Sequence, residues 1–244
     1  MYNGCFRRAP WKMGLRREMK RLEDICFLIE AKSNSERLPG KIFKKFSQTT
    51  LLDVAINKFL SSPAIPNNQI YVAGHGEEVL DLASKYTNIN LFKRTDNSVS
   101  DSATIRQIYE IFDHIRHPFF VEINACCPLL SVNTIDKFVE EYLQSDHNGM
   151  FGVVKRRTFY WDSNKAPLKE CTPHLDTKKA NVILEAAHCL YAGSTDDIKN
   201  NIHMGSFLHK GDPDLFIIEN EGECWDIDYD WQFKIAEKMF ENII

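Results

Sequence analysis

Two kinds of segment alternate along the chain. Short apolar runs rich in β-branched and aromatic residues predict strands, and longer segments with an apolar residue every three or four positions predict amphipathic helices. The predicted strands span 25–29, 69–73, 89–92, 118–123, 149–154, 182–191 and 215–219. The predicted helices span 51–60, 77–86, 103–115, 132–143 and 230–240. Asp101 and Ser102 form a suitable N-cap for the helix predicted from residue 103.

This alternation predicts an α/β fold with a doubly wound, mostly parallel sheet and helices on both faces. Parallel strands need crossover connections, and right-handed helical crossovers are the usual solution. The alternation stops at Lys155, and the sequence is then polar and irregular to about Lys179, with Pro167 and Pro173 inside it. An irregular stretch of this length predicts a functional loop or a small lobe.

Composition narrows the class of protein without identifying a function. A chain of 244 residues with 43% hydrophobic residues can build one large α/β domain, or a domain with a small lobe. The formal net charge of -4 argues against general electrostatic binding of nucleic acid. No apolar run is long enough to span a bilayer, so no membrane insertion is expected. The first 24 residues are basic and lack an apolar core, which argues against a secretory signal.

Seven cysteines are spread along the chain, and none of them forms a C-x-x-C pair. An odd number without paired spacing argues against a disulfide framework and a structural zinc site, and predicts a reducing cytoplasm. Cys126 and Cys127 are adjacent, but a small apolar turn explains them more simply than a nucleophile, because no activating partner is specified.

The segment 25–41, ICFLIEAKSNSERLPGK, changes character abruptly. An apolar run that predicts a buried strand gives way to small, polar and cationic residues, among them Lys32, Arg37 and Lys41. Ligands of open α/β sheets bind at the carboxyl ends of the strands. Cations on a loop with free backbone N–H groups suit a polyphosphate. The alternative is an ordinary solvated loop, and this segment alone does not decide between the two.

Asp226 and Asp228 form a D-x-D pair within 224–230, CWDIDYD. If this segment follows a strand, its period of two puts both carboxylates on one face and points Ile227 into the core. Two carboxylates this close repel each other unless a cation joins them, and Mg²⁺ combines one or two carboxylates with water and substrate phosphates. The alternative is a solvated pair at a strand end. Together, the cationic loop and the acid pair predict a nucleotide-handling enzyme with Mg²⁺ as its cofactor.

Three segments resemble the acylneuraminate cytidylyltransferase family, which comprises the CMP-sialic acid synthetases and relatives that activate pseudaminic, legionaminic and 3-deoxyoctulosonic acids. They are the loop 31–41, AKSNSERLPGK, the segment 121–130, VEINACCPLL, and the segment 226–230, DIDYD, with the helix after it. The resemblance begins at about residue 25. It implies a cytidylyltransferase-like α/β domain over 25–244, preceded by a basic N-terminal extension over 1–24.

What the family implies is a fold, a reaction and partners. The fold is a nucleotidyltransferase-type, Rossmann-like α/β domain with a small projecting lobe within 155–201, which joins two copies into a homodimer. In the reaction, a sugar hydroxyl attacks the α-phosphorus of CTP to give a CMP-sugar and pyrophosphate. The expected partners are therefore CTP and a small acidic sugar, a nonulosonic or octulosonic acid, in cytoplasmic synthesis of surface polysaccharide or glycan.

Roles for individual residues also follow from the resemblance. The residues expected to be catalytic are Lys32, Arg37, Lys41, Asp226 and Asp228. Those expected to bind the nucleotide are Ala31, Lys32, Ser33, Asn34, Ser35, Arg37, Lys41 and Arg94. Those expected to bind the acceptor are Asn124, Glu185 and His188. The acid pair would hold Mg²⁺, which polarises the α-phosphate. No side chain stands out as a general base.

Three departures from the family pattern concern the acceptor more than the nucleotide. Lys32 stands where the family usually has arginine, which keeps the charge but loses the bidentate fork. Asn124 and Leu130 stand where relatives have a glutamine and an arginine, and 185–191, EAAHCLY, replaces the usual Asn-Gly-Ala-Ile-Tyr. Two alternatives therefore stay open: an active enzyme with a non-sialic or non-sugar acceptor, such as a phosphonate, and a non-catalytic nucleotide-binding relative. The acid pair argues against the second.

Overall fold

The computed structural model describes residues 20–168, 176–179 and 181–242. Most of the extension predicted over 1–24, and part of the lobe predicted within 155–201, lie outside these residues. In the described ranges, no helix is both long enough and apolar enough to cross a bilayer.

Strands and helices alternate over most of the chain. The strands are β1 (Ile25–Lys32), β2 (Lys45–Phe46), β3 (Thr49–Thr50), β4 (Ile70–His75), β5 (Asn90–Lys93), β6 (Phe119–Asn124), β7 (Met150–Arg157), β8 (Val182–Ser194) and β9 (Asp214–Ile217). The helices are α1 (Leu51–Ser61), α2 (Glu77–Ser84), α3 (Ile105–Ile108), α4 (Val132–Gln144), α5 (Thr195–Lys199) and α6 (Asp230–Glu241). β2 and β3 form a small separate hairpin.

The central sheet has seven strands in the order β5-β4-β1-β6-β8-β7-β9. β1 pairs in parallel with β4 and β6, and β4 pairs in parallel with β5. β8 is antiparallel to both β6 and β7, whereas β9 is parallel to β7. The predicted α/β class with a mostly parallel sheet is therefore confirmed, and the antiparallel β8 is the departure from simple doubly wound topology.

The central strand β1 is buried on both of its faces. Phe27 and Ile29 point into the larger apolar core, and Cys26 and Leu28 point into the smaller one, because side chains of a strand alternate between its two faces. All four are completely buried. Glu30 continues the face of Cys26 and Leu28, so the smaller core ends in polar side chains at the carboxyl edge of the sheet. This change of polarity positions the site described below.

The helix predicted over 103–115 is wrong as a single element. α3 has only four residues, and a 3-10 turn over Glu110–Asp113 follows it. Tyr109 separates the two at φ -97° and ψ 36°, outside the helical region. Its ring is buried in the smaller core and its hydroxyl donates a hydrogen bond to Glu122, so a tertiary contact interrupts the helix.

The N-cap of α3 also differs from the prediction. Thr104 caps the helix and forms a capping box with Gln107, in which each side chain bonds to the other residue's backbone N–H. Asp101 and Ser102 lie upstream of this cap. Asp101 is thereby available to line the site.

β7 and β8 form a long antiparallel hairpin that extends beyond the rest of the sheet. β7 continues to Arg157, which pairs with Val182, so the irregular structure predicted from Lys155 is wrong for the first three residues. The last three residues of β7 were not predicted as a strand because they are consecutive charged residues, which lack the alternation of apolar and polar side chains that indicates a strand. Lys155 and Arg156 instead pair with carboxylates on the solvent side.

Candidate active site

Two adjoining chambers open at the carboxyl end of β1. The larger has a volume of about 730 Å³ and the smaller about 280 Å³. Both are lined by Glu30, Ala31, Lys32 and Asp101. The end of β1 therefore forms a partition that serves both chambers.

The smaller chamber is lined mainly by the loop that follows β1. Arg37, Lys41 and Ser35 contribute to its wall beside Lys32. Three of the predicted cations thus meet in one small cavity, as a triphosphate site requires. Of the remaining loop residues predicted to bind the nucleotide, Ser33 and Asn34 are not among its lining.

Asp228 joins these cations to the C-terminal part of the chain. Its Oδ2 lies 2.6 Å from Nη1 of Arg37, and its Oδ1 lies 3.2 Å from Nζ of Lys41. Lys41 also donates a hydrogen bond to the carbonyl oxygen of Ile227, at 2.5 Å. Burial works against the charge of Lys41, but Cys126 and the two aspartates outweigh it and raise the pKa of the ammonium group. Lys41 is therefore held as a cation in the wall of the smaller chamber.

The segment around Ile227 is extended although no strand precedes it. It follows a 3-10 turn over Glu221–Cys224, and the N–H of Ile227 donates to the carbonyl oxygen of Cys126 at 3.0 Å. Ile227 is completely buried, which confirms that it points into the core. The loop after β6 thus fixes the backbone between the two aspartates.

Asp226 supplies the second carboxylate, and its environment fits a divalent cation. Among the described residues, nothing donates a hydrogen bond to its buried Oδ1. Burial and then the charge of Asp228 raise the pKa of Asp226, against the opposing effect of Lys41 and Arg37. A buried carboxylate oxygen is costly unless it is partnered, and a metal ion supplies such a partner.

Two carboxylates are also the number that suits Mg²⁺. In the described ranges, no group of three or more His, Cys, Asp or Glu side chains is arranged to hold a metal. A cation bound by Asp226 and Asp228 would fill its other positions with water and substrate phosphates, as Mg²⁺ does in phosphoryl-transfer sites.

In the larger chamber, Arg94 is part of the wall. It is 7% exposed, and its Nη1 lies 3.2 Å from Oε2 of Glu30. Its Nη2 donates to the carbonyl oxygen of Ser98 at 3.0 Å. Burial raises the pKa of Glu30, and Arg94 opposes that effect. The guanidinium predicted to bind the nucleotide is thus already engaged by protein groups.

The three residues predicted to bind the acceptor do not all lie together. Asn124 and His188 line the larger chamber, and Nδ2 of Asn124 donates to the carbonyl oxygen of His188 at 3.0 Å. Glu185 lies nearer the start of β8, in an ion pair with Arg156, and is not among the residues that line either chamber.

A buried hydrogen-bonded chain in the larger chamber was not predicted from the sequence. Tyr109 donates to Oε2 of Glu122 at 2.7 Å, and Nε2 of His203 lies 2.6 Å from the same hydroxyl. The phenol has one hydrogen, which Glu122 accepts, so His203 donates through Nε2. The sequence feature that could have revealed this chain is Glu122, because a carboxylate inside the apolar run PFFVEI is unusual unless it has a partner.

Gly76 holds the loops after β1 and β4 in contact. Its φ is +94°, and an added Cβ would lie 2.5 Å from Oγ of Ser33. Nearby, Ser33 donates its N–H to the carbonyl oxygen of His75 at 3.1 Å. We expect Gly76→Ala to lower the free energy of unfolding by about 1–3 kcal/mol and to weaken CTP binding, because the cationic loop must shift. Urea denaturation and titration with CTP measure both effects.

Gly222→Ala is the matched control for Gly76→Ala. Its added Cβ would meet only the side chain of Asn220, at 3.2 Å, and its backbone is not in the left-handed region. An effect of Gly76→Ala no larger than that of Gly222→Ala would contradict the role given to the contact with Ser33.

Solved structures of cytidylyltransferases resemble this fold over almost their whole length. A CMP:2-keto-3-deoxy-manno-octonic acid synthetase in complex with CTP is 12% identical, with a TM-score of 0.67 over 90% of this chain and 99% of that chain. A cytidylyltransferase from Leptospira borgpetersenii serovar Hardjo-bovis is 15% identical, with a TM-score of 0.59 over 91% of this chain and 88% of that chain. The 4-diphosphocytidyl-2C-methyl-D-erythritol synthase from Anaerococcus prevotii is 9% identical, with a TM-score of 0.62 over 90% of this chain and 98% of that chain.

These identities are low, so the likeness establishes the fold alone. No curated protein sequence matches the chain significantly. The family model described as Cytidylyltransferase, however, matches residues 26–204, well over half of the chain, from β1 through the loop that carries His203. The chain therefore belongs to the cytidylyltransferase family and is a CTP-dependent cytidylyltransferase.

Proposed function

We propose that the protein transfers CMP from CTP to a hydroxyl group of an acidic sugar, a nonulosonic or octulosonic acid, with Mg²⁺ as cofactor. The observation that carries the proposal is the position of the acid pair. Asp228 is bridged to both Arg37 and Lys41, and Asp226 keeps a buried, unpartnered oxygen beside it. Three cations beside two carboxylates, one of which keeps an unpartnered oxygen, suit a metal-bound triphosphate.

In the proposed reaction, the acceptor oxygen attacks the α-phosphorus of CTP. The new P–O bond forms as the bond from the α-phosphorus to the oxygen bridging to the β-phosphorus breaks. Pyrophosphate leaves with the electron pair of that bond, and the hydroxyl proton passes to solvent. Such a transfer depends on alignment and neutralisation of charge more than on covalent chemistry with the protein.

The residues of the smaller chamber would carry out most of this neutralisation. Arg37 and Lys41 are held by Asp228, and the incoming phosphates would share them. Lys32, on the partition, would reach the phosphates from the side of the acceptor. Mg²⁺ on Asp226 and Asp228 would polarise the α-phosphate and neutralise developing charge.

The acceptor would occupy the larger chamber. Its polar groups include Asn124 and His188, and its volume of about 730 Å³ is in the range of small-molecule sites. A second candidate acceptor, neither sialic acid nor necessarily a sugar, is favoured by Leu130, which stands where the family's acceptor segment has an arginine and is 2% exposed. We also propose that the enzyme acts in the cytoplasm as a homodimer joined through the small lobe within 155–201.

Pyrophosphate release tests this proposal directly. CTP, ATP, GTP and UTP would each be combined with a panel of nonulosonic acids, octulosonic acids and phosphonates, with Mg²⁺ or with EDTA. We expect release only with CTP, an acceptor and Mg²⁺ together. Release that is unchanged in EDTA would contradict the metal assignment. Release only with non-sugar acceptors would select the second candidate, and no release with any acceptor would contradict the proposed reaction.

A further inference from the structure

Part of the wall of the larger chamber combines a buried carboxylate with aromatic rings. Glu122 lines it and is only 7% exposed. Phe151 stacks on Tyr191 with ring centroids 5.4 Å apart, and Phe207 meets the edge of Phe151 at 6.3 Å. All three rings line the same chamber. Aromatic faces beside a carboxylate form the type of site that binds ammonium groups.

Glu122 has capacity for a further partner. In the described part of the chain, only Tyr109 donates a hydrogen bond to it, through Oε2, so Oε1 keeps its lone pairs for another donor. The one described basic side chain within ion-pair distance is His203, with its Nε2 at 3.8 Å, and that nitrogen already donates to Tyr109. A carboxylate this deeply buried is stabilised when a cation pairs with it.

The other cations of the chamber are committed elsewhere. Arg94 is paired with Glu30 and hydrogen-bonded to Ser98. Lys32 lies on the partition, where the smaller chamber also uses it. Asp101 adds another acid to the lining and makes no ion pair among the described residues. The lining of the larger chamber thus has three acids, Glu30, Asp101 and Glu122, against two cations, Lys32 and Arg94.

The hydroxyls of Tyr109 and Tyr191 lie on the same wall. Burial first, and then the charge of Glu122, raise the pKa of both Tyr109 and Tyr191 well above the usual range.

We propose that the acceptor carries a protonated amine, which binds between Glu122 and the rings of Phe151, Tyr191 and Phe207 while its nucleophilic hydroxyl faces the smaller chamber. Glu122 is then a specificity-determining residue that distinguishes a free amine from its acetylated form. Because the larger chamber is taken as the acceptor site, this inference rests on the proposed function. It applies to an acidic amino sugar and to an acceptor that is not a sugar.

The binding of tetramethylammonium to the full chain without CTP, measured by ligand-observed NMR, tests the site independently of turnover. We expect tetramethylammonium to bind more tightly than acetate, and Glu122→Gln to weaken its binding about tenfold. Phe207→Leu is a second variant for the case in which Glu122→Gln fails to fold, because Phe207 is 59% exposed and its substitution should not affect folding. We expect Phe207→Leu to weaken the binding of tetramethylammonium about threefold. Glu140→Gln, on the exposed face of α4, is the control and should leave binding unchanged.

Tighter binding of acetate than of tetramethylammonium would overturn the inference. Unchanged binding of tetramethylammonium to Glu122→Gln would also overturn the inference. If Glu122→Gln does not fold, unchanged binding to Phe207→Leu would overturn it. In a second experiment, pyrophosphate release is compared between each acidic sugar with a free amine and its N-acetyl form. A lower KM for the free amine supports the inference, and a lower KM for the N-acetyl form overturns it. Absence of CTP binding would instead contradict the proposed function, while the tetramethylammonium result could still be interpreted.

Discussion

Asp228→Asn is expected to reduce kcat by at least about a thousandfold, equivalent to about 4 kcal/mol of transition-state stabilisation. The substitution keeps the shape of the side chain but removes the charge that pairs with Arg37 and Lys41 and that would hold Mg²⁺. The fold should be retained, because the polar head of Asp228 lies at the wall of the smaller chamber, not in the apolar core. Steady-state pyrophosphate release, with thermal unfolding of the same preparation, measures both effects.

Asp230→Asn is the matched control, two residues farther along the chain. Asp230 is exposed, and it pairs with Lys44 at 2.6 Å and with Lys234 at 2.7 Å outside both chambers. Exposed ion pairs contribute about 0–1 kcal/mol, so we expect little change in stability and none in turnover. If Asp228→Asn kept near-normal activity, or if both variants lost activity equally, the metal assignment would be wrong.

Lys41→Met is expected to reduce kcat/KM for CTP by about a hundredfold. Lys41 is the most enclosed cation of the loop, with a side chain 13% exposed against 59% for Arg37. Its charge would act on the phosphates, and its hydrogen bond to the carbonyl of Ile227 fixes the segment that carries both aspartates. Methionine preserves much of the packing while it removes both interactions, and kinetics at varied CTP and Mg²⁺ concentrations separate the two roles.

Lys44→Met controls for loss of a positive charge near the same loop. Lys44 pairs with the exposed Asp230 and lies 4.9 Å from the ring centroid of Phe233, outside both chambers. We expect its kinetic constants to match those of the wild type. A loss in Lys44→Met equal to that in Lys41→Met would show that overall loop charge matters, and not the position of Lys41 at Asp228.

Elements with strong periodicity were predictable because their burial is regular. The predicted helix 132–143 matches α4 (Val132–Gln144) to within a residue, since its buried side chains recur on one face. The direction of β8 was not predictable, because apolar alternation is the same in parallel and antiparallel strands. The helix predicted over 103–115 failed where the tertiary contact of Tyr109 with Glu122 outweighed local helical preference.

The phosphate side of the site was more predictable than the acceptor side for a similar reason. Lys32 ends β1, and Arg37 and Lys41 follow it in the next loop, so the three cations form one short pattern in the sequence. Tyr109 and His203 are 94 residues apart, and only the fold reveals that they share a hydrogen bond. A site assembled from single residues on distant elements leaves no local pattern.

The partition formed by Glu30, Ala31 and Lys32 has a consequence for how this protein could diversify. Under the proposed function, nucleotide chemistry would draw on the loop after β1 and on the aspartate pair, whereas acceptor choice would draw on β6, β8 and the segment around His203 and Phe207. Substitutions in the second set would then leave most of the first set in place. The three residues that end β1, together with Asp101, are the exception, because they line both chambers and a change there would alter both at once. In the proposed enzyme, the transfer reaction and the recognition of the acceptor would therefore meet at the end of a single strand.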